Sequence, residues 1–235
     1  MYALLDWDGT LRYGATIYAW MDYLHDKGLL KTEFLKEKLR LIEAHRAGEL
    51  THDQVSGCAN QNYLNGVKGM DTSTYQEHAR QFWQMDPGPS IPSTAVVFEW
   101  MKRHQIEPVV ISGSARYVLE PYFQKMGIKT AFTFREEWKD GVLTGRPAED
   151  WGHSKTEAVN KCIELFGGLP VLGMGDSESD CPLLDRAKIK IVVGGQDKVM
   201  RHYDNALAIG RDEAGARTLK NYLDSVCFAQ MEAGL

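Results

Sequence analysis

Short apolar runs alternate with helical periodicity through most of the second half of the chain. The runs stand at 108–111, 171–174, 189–193 and 206–209. Each is bounded by Gly, Pro or polar residues, which is typical of buried strands. Amphipathic segments between them, such as 117–126 and 154–165, predict helices. Strands that alternate with helices predict an α/β fold with a parallel sheet and right-handed crossovers, and the apolar run at 3–5 adds a first strand.

A strand-poor helical stretch separates that first run from the others. Its apolar residues recur at spacings of three and four, as in Ile17, Trp20 and Leu24. Helix-start signals at 51–54 and 71–74 predict two more helices. Pro87-Gly88-Pro89 then ends the stretch. The predicted organisation is a core domain of residues 1–13 and 87–235 with an inserted all-helical cap domain of residues 14–86.

Composition and charge narrow the function classes. The net charge of −5 and the mixing of basic with acidic residues argue against nucleic acid as a partner. The four cysteines lack zinc-site or disulfide spacing and favour a reducing compartment; they are Cys58, Cys162, Cys181 and Cys227. No basic and apolar leader precedes the first strand, and no apolar run approaches the ~20 residues of a membrane span. We therefore expect a cytoplasmic protein without a membrane partner.

Two carboxylates follow the first predicted strand. In Asp6-Trp7-Asp8-Gly9-Thr10, the side chains of Asp6 and Asp8 arrive at the carboxyl end of the strand, where open α/β sheets bind ligands. One carboxylate there can act as a nucleophile and metal ligand while the other transfers a proton. The same residues are also typical of a polar turn, so this motif alone leaves both interpretations open.

Polar residues at other strand ends and helix starts converge on the same edge. Ser112-Gly113-Ser114 follows the second strand, although such a loop is also an ordinary connection. Asp176 and Asp180 follow the strand at 171–174 and suit a shared metal, although acids also favour a helix N-terminus. Lys155 follows Ser154 at a predicted helix start that favours anions, although most lysines are surface groups. A divalent cation and a lysine would offset the repulsion among the four acids.

Together these four motifs, in this order, resemble those of the haloacid dehalogenase superfamily, from Leu4 to about Gly195. The helical insertion after the first motif and the segment 141–146 resemble the cap and hairpin of its phosphoserine-phosphatase-like branch. The resemblance implies a Rossmann-like core under a helical cap. Asp8 favours a phosphatase over a dehalogenase, because a leaving alkoxide needs a proton and a leaving halide does not.

The resemblance also implies roles for the motif residues. Asp6 would attack phosphorus and become an aspartyl phosphate, and Asp8 would protonate the leaving oxygen and then activate water. Ser112 and Lys155, with backbone amides near Gly9 and Gly113, would hold the phosphoryl oxygens. Mg²⁺ would be bound by the Asp6 carboxylate, the Asp8 carbonyl and Asp176, while Asp180 orients its water ligands.

The chain departs from phosphoserine phosphatases in its cap. The acid that grips the substrate amine in those enzymes is replaced here by Ala15, and no arginine or lysine lies between 54 and 67. Phosphoserine is therefore not the expected substrate. The residues that could line the substrate pocket, with a surface or packing position as the alternative for each, are Arg12, Tyr13, Arg46, Arg116 and Tyr117. Arg12 and Arg46 are the two assigned to substrate binding.

Three hypotheses follow from the sequence. The leading one is a Mg²⁺-dependent phosphomonoesterase for a small phosphorylated metabolite. A second is phosphoryl transfer from the aspartyl phosphate to an acceptor other than water. A third is a non-catalytic binding protein that keeps the fold. The sequence leaves the substrate and the oligomeric state unassigned.

Overall fold

A computed structural model describes residues 1–195 and 197–226, with the side chains of His52 and Asp53 excepted. Its strands form one sheet in the order β4-β3-β2-β1-β5-β6-β7. The strand bounds are β1 Tyr2–Leu5, β2 Glu107–Ala115, β3 Thr130–Lys139, β4 Val142–Asp150, β5 Leu172–Gly175, β6 Ile189–Val193 and β7 Leu207–Ile209. All neighbouring strands are parallel except β3 and β4, which form an antiparallel hairpin. The predicted α/β class with a parallel sheet is confirmed.

The helices follow the predicted order. The first four, α1 Thr16–Asp26, α2 Thr32–Arg46, α3 His52–Val67 and α4 Thr72–Met85, lie consecutively between β1 and the rest of the sheet, and we call them the cap helices. The others are α5 Ser93–Arg103, α6 Arg116–Met126, α7 Lys155–Phe166, α8 Cys181–Arg186, α9 Asp197–Met200 and α10 Glu213–Ser225. A 3₁₀ turn at Glu178–Asp180 precedes α8.

The apolar run at the chain start becomes the central strand. Leu4 of β1 lies opposite Val109 of β2 on one side and Gly173 of β5 on the other. Because β1 is covered on both faces, its side chains are fully buried, which explains a continuous apolar run instead of alternation. Directly after β1, the backbone N–H of Asp6 donates to the carbonyl oxygen of Met174 at 2.9 Å. This bond holds the first carboxylate beside the end of β5.

Local capping matches the sequence prediction at two helices and differs at a third. The Thr51 hydroxyl accepts from the N–H of Gln54, whose side chain accepts from the N–H of Thr51, as predicted for α3. Asp71 likewise caps α4 by accepting from the N–H of Thr74 at 2.9 Å. The sequence Ser154-Lys155-Thr156-Glu157 also has the form of a capping box, but the Ser154 hydroxyl makes no capping hydrogen bond at the start of α7.

The predicted loop after the second strand also differs. Residues 112–114 belong to β2, whose pairing with β3 shifts register between Ile111 and Ala115. This irregularity lets the strand carry polar residues at its carboxyl end without breaking the sheet.

Two large apolar clusters stabilise the molecule. One packs the sheet against α5, α6 and α10, and the other joins cap helices to α6 and the β3–β4 hairpin. Within the described ranges, no helix combines the length and apolar character needed to cross a bilayer. Cys58, Cys162 and Cys181 are free thiols, whereas Cys227 and the rest of 227–235 in the predicted core domain lie outside the described residues.

Candidate active site

Three predicted residues meet at the floor of the candidate site. The Lys155 Nζ, at the first position of α7, donates to Asp6 Oδ1 at 2.9 Å and to Asp180 Oδ1 at 2.5 Å. The other oxygen of Asp6 accepts from the Thr10 hydroxyl at 3.0 Å. Asp6, Lys155 and Asp180 are all buried, so the ammonium group joins two carboxylates away from water.

Burial and charge give these groups unusual proton affinities. Burial, followed by the negative charge of Asp180, raises the pKa of Asp6 well above its usual range. Burial acts to lower the pKa of Lys155, but Asp180 and Asp6 together raise it. Burial acts to raise the pKa of Asp180, yet Lys155 and two backbone N–H groups hold it below its usual value. Lys155 and Asp180 are therefore a charged pair, and Asp6 is the carboxylate with excess negative charge around it.

The second carboxylate of the first motif is held by the start of the first cap helix. Asp8 Oδ1 accepts from the backbone N–H of Thr16 at 2.7 Å and from the Thr16 hydroxyl at 2.6 Å. Asp8 Oδ2 accepts from the hydroxyl of Ser114. Burial raises the pKa of Asp8, while its bonds with Ser114 and Thr16 lower it. A carboxyl with a raised pKa suits proton transfer near neutral pH.

Asp176 lies across from the first motif, with a partner that the sequence analysis missed. Arg211, between β7 and α10, donates from Nη2 to Asp176 Oδ2 at 2.8 Å and from Nε to the carbonyl oxygen of Gly9 at 2.8 Å. Gly9 has φ of 82°, and a methyl group there would lie 2.4 Å from Asp176 Oδ2, so only glycine fits. Burial, then the charge of Asp180, raises the pKa of Asp176 to about 7.

The acidic cluster fits a hard divalent cation. Oxygen atoms of Asp6, Asp176 and Asp180 lie within 4.8 Å of one another. The pKa values of Asp6 and Asp176 are raised chiefly by burial and then by the charge of Asp180, so a bound cation would stabilise their ionised forms. Asp180 already accepts from Lys155 and, through Oδ2, from the N–H groups of Asp176 and Ser177. Asp6 and Asp176 thus suit direct ligation of Mg²⁺, and Asp180 suits an orienting role.

Two glycines bring the carboxyl end of β2 against the loop before α7. Gly152 lies so close to Gly113 that a methyl group on Gly152 would be 2.3 Å from the Gly113 Cα. The Ser112 Oγ accepts from the N–H of Ser114 at 3.1 Å and, with Gly113, faces the cavity. The contact therefore places Ser112 and Gly113 on the same side of the site as Lys155.

A cavity of about 250 Å³ lies between this floor and the cap helices. It is lined from the core by Asp6, Asp8, Ser112, Gly113, Lys155 and Asp176, and from the cap by Tyr18, Ile42, His45, Arg46, Ser56 and Asn60, among others. Gly9 lies against Asp176 at the edge of this set. The structure thus places Arg46 among the residues that line the cavity. The sequence analysis missed Asn60, because a polar residue on an amphipathic helix also fits a solvent-exposed face.

Arg12 is not at the cavity. Its buried guanidinium donates from Nη2 to Asp86 Oδ1 at 2.6 Å and from Nη1 to the Thr16 hydroxyl at 3.0 Å. The position of Arg12 contradicts its predicted role in substrate binding. The ion pair of Arg12 with Asp86 joins the first motif to the end of α4, and Arg12 Nη1 also lies 4.0 Å from Asp8 Oδ1.

Similar folds occur among solved structures. A protein of unknown function from Bordetella pertussis Tohama I superposes with a TM-score of 0.74 at 20% identity, over 90% of this chain and 98% of that chain. A phosphoserine phosphohydrolase-like protein from Francisella tularensis gives 0.67 at 17% identity, over 93% and 99%. A substrate-bound phosphoserine phosphatase gives 0.65 at 19% identity, over 94% and 98%. At these identities the likeness establishes the fold alone.

Sequence comparison identifies the family directly. No curated protein matches the chain. The model of the haloacid dehalogenase-like hydrolases matches residues 3–185, a range that contains both acidic motifs, Ser112 and Lys155. The chain belongs to the haloacid dehalogenase-like hydrolase family.

Proposed function

We propose that this protein is a Mg²⁺-dependent phosphomonoesterase that acts on a small phosphorylated metabolite through an aspartyl phosphate. The observation that carries the proposal is the position of Asp6 and Asp8 at one end of the cavity, with Lys155 bonded to Asp6. In the proposed organisation, residues 1–13 and 87–235 form the catalytic core and residues 14–86 the cap.

The two carboxyl groups divide the chemistry. An oxygen of Asp6 forms a bond to phosphorus while the bond from phosphorus to the ester oxygen breaks. Protonated Asp8 gives its proton to the departing alkoxide. A water molecule then attacks the phosphorus of the aspartyl phosphate, Asp8 takes a proton from this water, and the Asp6 carboxylate leaves. The raised pKa of Asp8 supports this exchange, because a protonated carboxyl is needed in the first half.

Positive charge and hydrogen-bond donors serve the transferring phosphoryl group. Lys155 and the Ser112 hydroxyl contact the cavity beside Asp6 and would hold two phosphoryl oxygens. Asp6, Asp176 and the carbonyl of Asp8 would hold Mg²⁺, which supplies charge neutralisation at the phosphoryl oxygens. Arg211 restrains Asp176, so this ligand does not need to reorganise during the reaction.

The cavity limits the substrate to a small molecule. Its volume of about 250 Å³ is below the usual range for drug-sized ligands. Ala15, at the start of the cap, lines it without any group that could bind an ammonium ion. This supports the expectation that phosphoserine is not the substrate, although the fold resembles that of phosphoserine phosphatases.

Phosphate release tests the proposal. We expect hydrolysis of p-nitrophenyl phosphate and of small phosphorylated metabolites with Mg²⁺, and loss of that activity with EDTA. Asp6→Asn, which keeps the side-chain shape, removes the nucleophile and should lower kcat by at least about 1,000-fold. Asp26→Asn, an identical change at an exposed site, is the control and should retain activity. Hydrolysis by folded Asp6→Asn protein at the native rate would refute the mechanism.

A further inference from the structure

Helix α3 supplies a polar face of the cavity for which the proposed chemistry gives no role. Ser56 and Asn60 lie one helical turn apart, and both line the cavity. A methyl group on Gly113 would lie 3.6 Å from the Ser56 Oγ, so this face of α3 lies directly over the carboxyl end of β2. Asn60 is therefore placed to contact the organic part of a substrate whose phosphate occupies the floor.

The side chain of Asn60 has an unused donor. Asn60 is only 4% exposed, and its Nδ2 has no hydrogen-bond partner among the described residues. A buried amide without a partner destabilises the folded state, so native proteins seldom retain one without a reason. Asn60 lines the cavity, so a turn of its amide toward the cavity would bring this buried donor within reach of an acceptor oxygen of a bound molecule. The amide is therefore a candidate partner for a substrate oxygen.

The charge on the cap side of the cavity indicates what kind of substrate group would carry this oxygen. Arg46, at the end of α2, lines the cavity and makes no ion pair within the described part of the chain. The carboxylates that line the cavity among the described residues are Asp6, Asp8 and Asp176, all from the core. The cap side therefore offers an amide donor and a cation and, in the described side chains, no negative charge, which favours an anionic group.

We propose that Asn60 is a specificity-determining residue that donates to a second anionic group on the substrate, with Arg46 supplying the opposite charge. This inference rests on the proposed function and narrows it. The substrate class is a compact phosphomonoester whose organic part carries a carboxylate or a second phosphate. Amide and guanidinium donors bind such oxygens by charge-assisted hydrogen bonds.

Substrates matched in their carbon skeleton test this assignment. 3-Phosphoglycerate carries a carboxylate where glycerol 3-phosphate carries a neutral alcohol. Glycerol 1,3-bisphosphate carries a second phosphate at that position. We expect kcat/KM to be about 10- to 100-fold higher for at least one of the two esters that carry a second anionic group than for glycerol 3-phosphate. Equal kcat/KM for all three would overturn the inference.

Variants of Asn60 test its part in that preference. Asn60→Asp replaces the donor with a negative charge and should abolish the preference for the second anion. Asn60→Ser removes the amide without adding charge and should reduce the preference about tenfold or more. Asn65→Asp makes the same charge change at an exposed position of α3 and serves as the matched control with an unchanged ratio. A native ratio in folded Asn60→Asp and Asn60→Ser proteins would overturn the role of Asn60.

Calorimetry separates this inference from the proposed function. Binding of the same three esters to the Asp6→Asn protein is measured with and without the Asn60→Asp change. If Asn60→Asp weakens the binding of an ester that carries a second anionic group, Asn60 is supported as a contact. This holds whether or not the native protein hydrolyses that ester. Hydrolysis by the native protein, with binding unaltered by Asn60→Asp and with the native preference kept in both Asn60 variants, would refute the role of Asn60 and leave the proposed phosphatase activity standing.

Discussion

At the scale of single residues, the proposed metal ion would compete with a proton for Asp176. Burial and the nearby charge of Asp180 raise its pKa to about 7, although Arg211 acts in the opposite direction. A carboxylate must lose its proton before it binds a divalent cation. We therefore expect the affinity of the site for Mg²⁺ to depend on pH in a range where an ordinary aspartate would already be ionised.

This competition gives a prediction for the metal requirement. The Mg²⁺ concentration for half-maximal phosphate release should fall as pH rises from 6 to 8, by about tenfold per unit below pH 7, and then level off. The measurement is a MgCl₂ titration of activity at fixed ionic strength and several pH values. A half-maximal concentration that is the same at pH 6 and pH 8 would contradict it.

At the scale of elements, the start of α1 positions the proposed general acid. The Thr16 hydroxyl donates to Asp8 and accepts from Trp7 Nε1 at 3.1 Å and from Arg12 Nη1 at 3.0 Å. One hydroxyl thus uses its full hydrogen-bonding capacity at the junction of the first motif and the first cap helix. The orientation of Asp8 consequently depends on where α1 begins.

Thr16 variants test that dependence. Thr16→Val keeps the side-chain shape but removes a hydrogen bond that lowers the pKa of Asp8. The alkaline limb of the pH–rate profile, where the general acid loses its proton, should move to higher pH, and kcat should fall about tenfold. Thr16→Ser keeps the hydroxyl and should retain the native profile. Identical alkaline limbs for the Val and Ser proteins would show that Thr16 does not tune Asp8.

Much of the candidate site could be predicted because parallel α/β sheets bind ligands at the carboxyl ends of their strands. Asp6, Ser112 and Asp176 each follow a buried apolar run, and parallel strands bring those ends to one edge. Arg211 follows β7 without a motif, so nothing local marked it. Arg12 was misplaced because its partner, Asp86, is 74 residues away along the chain. Side-chain pairing over such separations depends on the folded arrangement and leaves no sequence pattern.

At the scale of the whole molecule, a buried polar cluster ties the cap helices to the sheet. Glu136 Oε1 on β3 lies 2.7 Å from the Tyr63 hydroxyl and 2.5 Å from the Tyr75 hydroxyl, and these hydroxyls lie 2.6 Å apart. Both tyrosine hydroxyls donate to this carboxyl oxygen, which lowers the pKa of Glu136, but burial raises that pKa by more. The cluster therefore joins α3 and α4 to β3 through a buried carboxyl group.

Stability should depend on pH through Glu136. Between the unfolded pKa and the raised folded pKa, the folded state holds a proton that the unfolded state has lost, so stability decreases as pH rises. Glu136→Gln does not titrate, so the native protein should lose more stability than this variant between pH 5 and 8. The excess is about 1.4 kcal/mol per unit of raised pKa. Urea unfolding of both proteins measures it, and parallel stability–pH curves would contradict the prediction.

The contact between Gly113 and Gly152 has a consequence for how the chain can vary. Any side chain at 152 would force apart two backbones, one carrying Ser112 and the other leading into Lys155. In a saturation mutagenesis screen for activity, position 152 should therefore tolerate substitution as poorly as the proposed catalytic residues do, although glycine has no functional group. The lack of tolerated substitutions at position 152 would then reflect the short distance between the end of β2 and the loop before α7.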